Sequence, residues 1–398
     1  MKSALEGVRS IEEFELHEKK VFLRLDLNVP IKNGVIQDDT RLEAALPTIR
    51  YALEKGAKLI VASHLGRPKG QPNPEMSLEP VAAELGKRLG GEVIFVEAPD
   101  SDAPKALMKT LLPGQMILLE NLRFTKAETD NDEEFAKDLA AYTDIYINDA
   151  FGACHRAHAS ISGIAGLVKD KGCGFLIKKE LEVLEQVLTT SDSPFVAIMG
   201  GAKVSDKIDV IENLVDRVDT FLIGGAMAYT FLAAKGFEIG KSLVEKDKIK
   251  YAGELIERIE ARDKKILIPV DHVVTTDIGA VSKMKNTNTE AIESEFLGVD
   301  IGPKTRALYS NEILNSKTIL WNGPMGVFET PEFADGTFAL ANAVAESSAF
   351  SVIGGGDSAA AIQKSGQAEK VSHISTGGGA SLEFLQGDTL PGLAALRS

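Results

Sequence analysis

Apolar residues in this chain recur with two periods, and the two alternate along its length. Val21 to Leu27 reads as a strand running into Asn28, Val29 and Pro30, so Asp26 and Asn28 stand at its carboxyl end. Thr40-Arg41-Leu42-Glu43 has the form of a capping box, after which Leu42, Ala45, Leu46, Ile49 and Leu53 share one helical face until Gly56 stops it. Leu59 to Ala62 is the next apolar strand, and Leu78, Val81, Leu85 and Leu89 mark another helix. Val93 to Val96, Met116 to Leu119 and Ile145 to Asn148 extend the series. Further on, Phe195 to Met199, Thr220 to Ile223, Thr318 to Trp321, Ser351 to Ile353 and Ser372 to Thr376 each lead into a loop carrying glycine. This alternation predicts an α/β fold, with parallel sheets covered by helices on both faces. Such sheets bind ligands beyond the carboxyl ends of their strands.

One segment stands apart. From Phe175 to Leu188, Ile177, Leu181, Leu184 and Leu188 recur at helical spacing, with Lys178, Lys179, Glu180, Glu182, Glu185 and Gln186 between them. Gly172 and Gly174 precede it, and Thr189 to Pro194 follow with turn-forming residues. It reads as a helix joining two domains, although these residues alone also suit a surface helix within one large domain. A length of 398 residues exceeds what a single core usually serves, which favours two domains.

Composition narrows the classes. With 44% hydrophobic and 26% charged residues the chain is of soluble globular type, and a formal charge of −14 argues against general affinity for nucleic acid or anionic membrane. The N-terminus carries no apolar run of signal-peptide length, so a cytoplasmic location is expected. Cys154 and Cys173 show no metal or redox spacing and are expected as buried thiols.

Against that negative charge, His64, Arg67, Arg123, His155 and Arg156 all follow strand ends. A single arginine there is usually a solvated side chain; several in neighbouring loops of one sheet would converge on a small polyanion. Arg41, in a helix's first turn, is poorly placed for the macrodipole and raises the same question. In the second half, Lys203 and Lys207 are four apart. If both lie on the helix that carries Ile208, Ile211 and Leu214, they share a face and repel unless an anion such as phosphate joins them. Glycine at four further strand ends lets a ligand approach the backbone and the helix N-termini beyond, which points to a nucleotide. Neither a P-loop nor a dinucleotide fingerprint is present. Asp357 could be an N-cap or a Mg²⁺ ligand, and Glu329 and Asn322 could meet ribose and phosphate, whereas Trp321 suits the core.

RLDLNVP, SHLGRP, ENLRF, HRAHAS, GGAKVSDK, GGAMAYTF, WNGPMGVFE, GGGDSAAA and STGGGA stand in that order through essentially the whole chain, and together they resemble the phosphoglycerate kinase family. The resemblance implies two Rossmann-like three-layer domains joined by a central helix and hinge. Residues 1–173 would bind 3-phosphoglycerate, 174–190 would connect, 191–387 would bind nucleotide, and a tail from about 388 to 398 would return to the first domain. It implies that Asp26, Leu27, Asn28, Arg41, His64, Leu65, Gly66, Arg67, Arg123 and Arg156 hold the acid substrate. Lys207, Gly298, Asn322, Glu329, Gly355, Gly356, Asp357 and Ser358 would hold ATP or ADP, with Asp357 on Mg²⁺. Arg41, Lys203, Lys207, Gly378 and Gly379 would surround the phosphoryl group in transfer between 1,3-bisphosphoglycerate and MgADP. The partners implied are these small molecules only, on a monomer. Two positions depart from the family's familiar pattern: Ala153-Cys154 replaces Thr-Ala before His155, and Ser358 replaces Thr. Neither removes a charged group, but Cys154 opens the question of oxidation in that loop. A two-domain anion-binding protein would explain two α/β halves but not one basic and one glycine-rich half, and a dehydrogenase lacks its fingerprint.

Overall fold

The computed structural model describes residues 3–279 and 281–397; Met1 and Ser398, which bound the expected domain limits, lie outside it. The chain forms two compact units. One contains the residues up to Glu182 together with those from Thr389 onward, and the other runs from Val183 to Asp388.

In the first unit, six strands form a wholly parallel sheet: β1 (Lys20–Leu25), β2 (Lys58–Ala62), β3 (Val93–Val96), β4 (Met116–Leu119), β5 (Ile145–Asp149) and β6 (Asp170–Cys173). Their spatial order is β3-β4-β2-β1-β5-β6, so connections leave β1 and β5 in opposite directions. That reversal opens a crevice beyond their carboxyl ends. Leu23, Leu25, Leu46, Ile49, Val61, Leu118 and Ile147 fill the core against the sheet.

The second unit repeats the plan with β7 (Phe195–Met199), β8 (Thr220–Ile223), β9 (Lys265–Leu267), β10 (Thr318–Asn322), β11 (Phe350–Gly354) and β12 (His373–Ile374), ordered β9-β8-β7-β10-β11-β12. The switch lies between β7 and β10. Trp321 is fully buried there, its indole N–H donating to Gly323 O at 2.8 Å, as expected of a core residue. A small antiparallel sheet of His272–Thr275, Lys285–Asn286 and Leu297–Ile301 is added, in a stretch where sequence patterning gave no reading.

Three local expectations change. The first-half helix spans Thr40–Glu54, but Asp39 is its N-cap residue and Thr40 already lies inside, so the capping box is not formed. The strand expected from Ser372 to Thr376 is only two residues long. The central helix spans Phe175–Thr189, and Glu180, assigned by spacing to its polar face, is fully buried. Val183 and Val187 are buried as well as the four stripe residues, so the covered face is wider than the stripe.

Each end of this helix is fastened within its own unit. Asp149, at the end of β5, accepts from the backbone N–H of Ile177 at 3.0 Å and from Thr48 Oγ1 at 2.5 Å. This carboxylate satisfies helix donors that would otherwise be orphaned. Burial nonetheless pushes its pKa up to about 6. Beyond the other end, Asp192 and Thr318 exchange hydrogen bonds at 3.0 and 2.9 Å. In the tail, Leu390, Leu393 and Leu396 are buried and Gly392 N–H donates to Cys154 O at 2.8 Å.

Candidate functional site

The basic residues of the first unit are held by the loops after β1, β2, β4 and β5. Asp26 follows β1 and accepts from Arg41 Nη1 at 2.8 Å, with Asn28 O at 3.4 Å from the same nitrogen. Arg41's awkward place in the first helical turn is thereby explained, since a carboxylate offsets the macrodipole. Asn28 Oδ1 accepts from Gly66 N–H at 2.8 Å, and Gly66 O accepts from Arg123 Nη1 at 2.9 Å. One chain of contacts therefore links the loops after β1, β2 and β4. Arg67 and Arg156 are exposed. Leu27 and Leu65 have buried side chains, and their amides donate to Ser63 Oγ and Asn121 Oδ1 at 2.8 and 3.1 Å. They shape the loops rather than offering side chains to a ligand.

Beneath this layer lies a charge network that motif spacing missed. Arg24 and Glu128 are both fully buried, bridged by Ser160. The concentration of cations is visible in the titrating groups. Burial first, then Arg24, Arg123 and Arg41, hold His64 well below the usual histidine range. Burial and Arg123 bring His158 down to about 4. Burial, then Arg24, lowers Arg123 to about 10. Arg123 Nε, His155 Nδ1 and His158 Nδ1 are buried without hydrogen-bond partners. A polyanion would offset the mutual repulsion of the arginines gathered here. A cavity of about 790 Å³ adjoins this region through Asn28, Leu65 and Gly66, but its other walls are Val29–Gly34 and Pro74–Ser77, with none of the arginines.

Cys154, buried in the loop after β5, is held by Asn148 and Ala150, and burial pushes its thiol above the usual range. Burial likewise raises Cys173, to about 12. Burial and a raised pKa both disfavour the thiolate, the reactive form, at the loop where the Cys154 substitution raised the question of oxidation.

In the second unit the loops after β7 and β10 lock together: Gly200 N–H donates to Asn322 O at 2.9 Å and Gly201 N–H to Pro324 O at 3.0 Å. A Cβ on Gly200 would lie 2.1 Å from Pro324 O, so this glycine serves loop packing rather than ligand approach. Gly356 differs, since a Cβ there would meet nothing within 4 Å. Lys203 and Lys207 do not share a helical face: the helix begins at Ile208, Lys207 is its N-cap residue and Lys203 is an exposed loop residue. Lys207 is buried, donates to Asn322 Oδ1, and has its pKa lowered by burial against the opposing pull of Asp206 and Asp357.

Asp357 is not an N-cap either. Gly355 holds that position, with φ at 90°, before the helix Gly356–Lys364, leaving Asp357 exposed in the first turn. Ser358 is buried and accepts from Gly323 N–H at 2.6 Å, so its hydroxyl ties β10's loop to this helix. A cavity of about 210 Å³ brings together Gly201, Gly298, Glu329 and Asp357 with Ala226, Tyr229, Pro324 and Met325. The last four were not singled out from the sequence; GGAMAYTF and NGPMG carried them without showing which side chains line a wall. Gly298 is constrained by Tyr229, whose hydroxyl would lie 2.0 Å from an added Cβ. Gly378, with φ at 53°, precedes the helix that Gly379 opens (Gly379–Gln386), and no atom lies within 4 Å of a Cβ built on Gly378.

The motif order is matched by relatives across the chain. The family model described as phosphoglycerate kinase matches residues 11–388. A phosphoglycerate kinase of Bdellovibrio bacteriovorus is 59% identical over 398 residues, covering all of this chain and 99% of its own. One from Clostridium botulinum is 53% identical, covering 98% of each chain. Among solved structures, phosphoglycerate kinase from Coxiella burnetii has a TM-score of 0.88 at 42% identity, covering 98% of both chains, and that from Pyrococcus horikoshii a TM-score of 0.83 at 37% identity, covering 97% of this chain and 98% of its own. With both sheets and nearly every motif loop inside these matches, the chain belongs to the phosphoglycerate kinase family.

Proposed function

We propose that the basic cluster of the first unit holds the acid substrate and the glycine-lined cavity of the second holds the nucleotide. The reaction is the reversible transfer of the acyl phosphate of 1,3-bisphosphoglycerate to ADP, giving 3-phosphoglycerate and ATP. The observation that carries the assignment is the contrast between the units: Asp26, Arg41, Asn28, Gly66 and Arg123 are joined across the loops after β1, β2 and β4 in the first, and the small glycine-walled cavity that includes Asp357 lies in the second.

In this reading Asp26 fixes Arg41, and the Asn28–Gly66–Arg123 chain sets the loops that present Arg67 and Arg123. Lys207, held by Asn322, supplies a buried cation on the nucleotide side, and the helix start at Gly378 and Gly379 supplies backbone donors. Phosphoryl transfer spreads charge over the equatorial oxygens of the moving group, so aligned cations and N–H groups lower the barrier without a covalent intermediate. Both oxygens that exchange the phosphoryl group are anionic already, and no general base is required. Water must be kept away from the acyl phosphate, which hydrolyses otherwise.

Asp357 fits Mg²⁺. Its carboxylate is exposed at a helix start, and among the described residues no group of three His, Cys, Asp or Glu could cage an ion. Mg²⁺ bound with nucleotide needs only one or two carboxylates, the phosphates and water completing its shell. When bound, it neutralises phosphate charge. The protein works in this reading as a cytoplasmic monomer; no helix among the described residues is long and apolar enough to cross a membrane.

A coupled assay with 3-phosphoglycerate, MgATP and a dehydrogenase reporter tests the activity. Asp357→Asn tests the division of labour: the KM for MgATP should rise about tenfold or more while that for 3-phosphoglycerate stays constant. Unchanged nucleotide kinetics would remove Asp357 from the metal site.

A further inference from the structure

The buried network under the acid-substrate cluster carries more than loop support. Arg24 sits in β1, in register with Ala62 of β2 and Asn148 of β5, and its side chain is fully buried in the middle of the sheet's carboxyl end. All three guanidinium nitrogens have neighbours. Nε donates to Ser160 Oγ at 2.8 Å, Nη1 to Leu25 O, and Nη2 lies 3.3 Å from His64 Nδ1. The cation is fixed from the far side. Ser160 Oγ donates to Glu128 Oε1 at 2.6 Å while Ser160 N–H donates to Oε2 at 2.9 Å, so the hydroxyl accepts from the cation and donates to the anion. Tyr146 Oη, donating to Ser160 O at 2.8 Å, pins the turn that carries this hydroxyl.

The consequence concerns His64. A guanidinium has five donors and no acceptor, and it does not lose its proton in a protein. An imidazole nitrogen that faces it at hydrogen-bond distance must therefore offer a lone pair. We propose that Arg24 is a positioning residue which obliges His64 to be a neutral imidazole protonated at Nε2, so that the ring meets the acid substrate as a hydrogen-bond donor of fixed tautomer. His64 follows β2 among the residues assigned above to the acid substrate, and the functional half of the inference rests on that assignment.

The surroundings agree with the tautomer. Arg24, Arg123, Arg41 and His158 all oppose a second proton on His64, and its burial adds to their effect. A neutral ring fixed as a donor suits an anionic oxygen: its Nε2–H is too weakly acidic to give up the proton, and it needs no reorientation as the ligand arrives. In an unconstrained histidine the Nδ1–H and Nε2–H forms compete, and the Nδ1–H form would present a lone pair to an anion. The Glu128–Ser160–Arg24 chain removes that alternative, and it also compensates the buried guanidinium, which alone would be costly.

Long-range proton–nitrogen correlation spectra of the ¹⁵N-histidine-labelled enzyme at pH 7 test the inference. The chain has six histidines, and His64→Gln identifies the signal set by its loss. The expected pattern is a neutral ring with Nε2 protonated, whose Nε2 signal moves on adding 3-phosphoglycerate. In the double variant Arg24→Gln/Glu128→Gln, which leaves no unpaired buried charge, the ring should become a mixture of tautomers. The KM for 3-phosphoglycerate should rise about tenfold or more. A wild-type His64 protonated at Nδ1, or doubly protonated, would overturn the geometric half. An unaltered tautomer in the double variant would do the same. The expected tautomer with signals unmoved by 3-phosphoglycerate would overturn the functional half, through failure of the acid-substrate assignment.

Discussion

Asp300 offers a sharp test of the physical reasoning, because substitution by asparagine changes its charge and almost nothing of its shape. The carboxyl is 1% exposed and wedged between two glycines: a Cβ on Gly326 would lie 2.4 Å from Oδ1, and one on Gly336 only 2.2 Å from it. Oδ2 accepts from Gly336 N–H at 2.6 Å, whereas Oδ1 has no hydrogen-bond partner. Burial, only partly opposed by the Gly336 and Ile301 N–H groups and by Arg306, raises the pKa to about 7. In the unfolded chain the group returns to an ordinary value of about 3.9. Its folded pKa is thus raised, so its contribution to stability is complete below about pH 4 and is lost as the pH rises through about 7. Between pH 5 and pH 8 the folded carboxyl gives up its proton while the unfolded one is already ionised. About two pH units of the interval count fully, at 1.36 kcal/mol each, for a loss of about 3 kcal/mol. Asp300→Asn has no such loss. Thermal unfolding of the unit from Val183 to Asp388, followed in both proteins at each pH, cancels every other titrating group. The variant's Tm should improve relative to wild type by about 6–12 °C between pH 5 and pH 8, given a unit of roughly two hundred residues. A difference between the proteins that is the same at both pH values would refute the buried, high-pKa carboxyl.

Other outcomes follow from the same geometry. Arg41→Ala should lower kcat about a hundredfold or more, with a smaller change in 3-phosphoglycerate affinity, because the cation acts on charge that develops in transfer; loss of affinity with kcat intact would assign Arg41 to ground-state binding. Gly298→Ala should cost about 1–3 kcal/mol of stability and raise the nucleotide KM through its collision with Tyr229. Adding Tyr229→Phe should recover part of both, and if it recovers neither, the Gly298–Tyr229 contact does not shape the cavity. Cys154 and Cys173 should resist an aromatic disulfide reagent in the native enzyme and react at once in denaturant, as read by released thiolate absorbance. Fast native reaction would show that the loop after β5 opens.

How much of this was visible in the chain depends on the range of the interaction. Strand and helix positions were legible because alternation and helical spacing report which face of a segment is apolar, and that is decided within a few residues. Ten of the twelve strands in the two parallel sheets lie where the apolar runs stand, but β6 and β9 were passed over, being short and carrying Asp170, Lys171 and Lys265. The basic residues were found because they follow strand ends, where a parallel sheet gathers its ligands. Lys203 and Lys207 were misplaced because a four-residue interval suggests a helix only if the helix has already begun. The same error of boundary produced the capping box at Thr40 and the N-cap at Asp357. One residue decides each of these roles, and periodicity does not resolve one residue.

The sequence by itself determined the α/β class, the order of the motif loops, the membership of the family and the division into a basic and a glycine-rich half. Tertiary structure decided what each site side chain does. Arg24 and Ser160 are 136 residues apart, and Lys207 and Asn322 are 115 apart, so no local spacing could have joined them. It also separated the glycines that let loops interlock, such as Gly200, from those with open space beside them, such as Gly356. The physical reason is common to all of these. Hydrophobic patterning selects the face of an element, whereas the partner of a buried charge or the neighbour of a missing side chain exists only once the sheet has brought distant strand ends together.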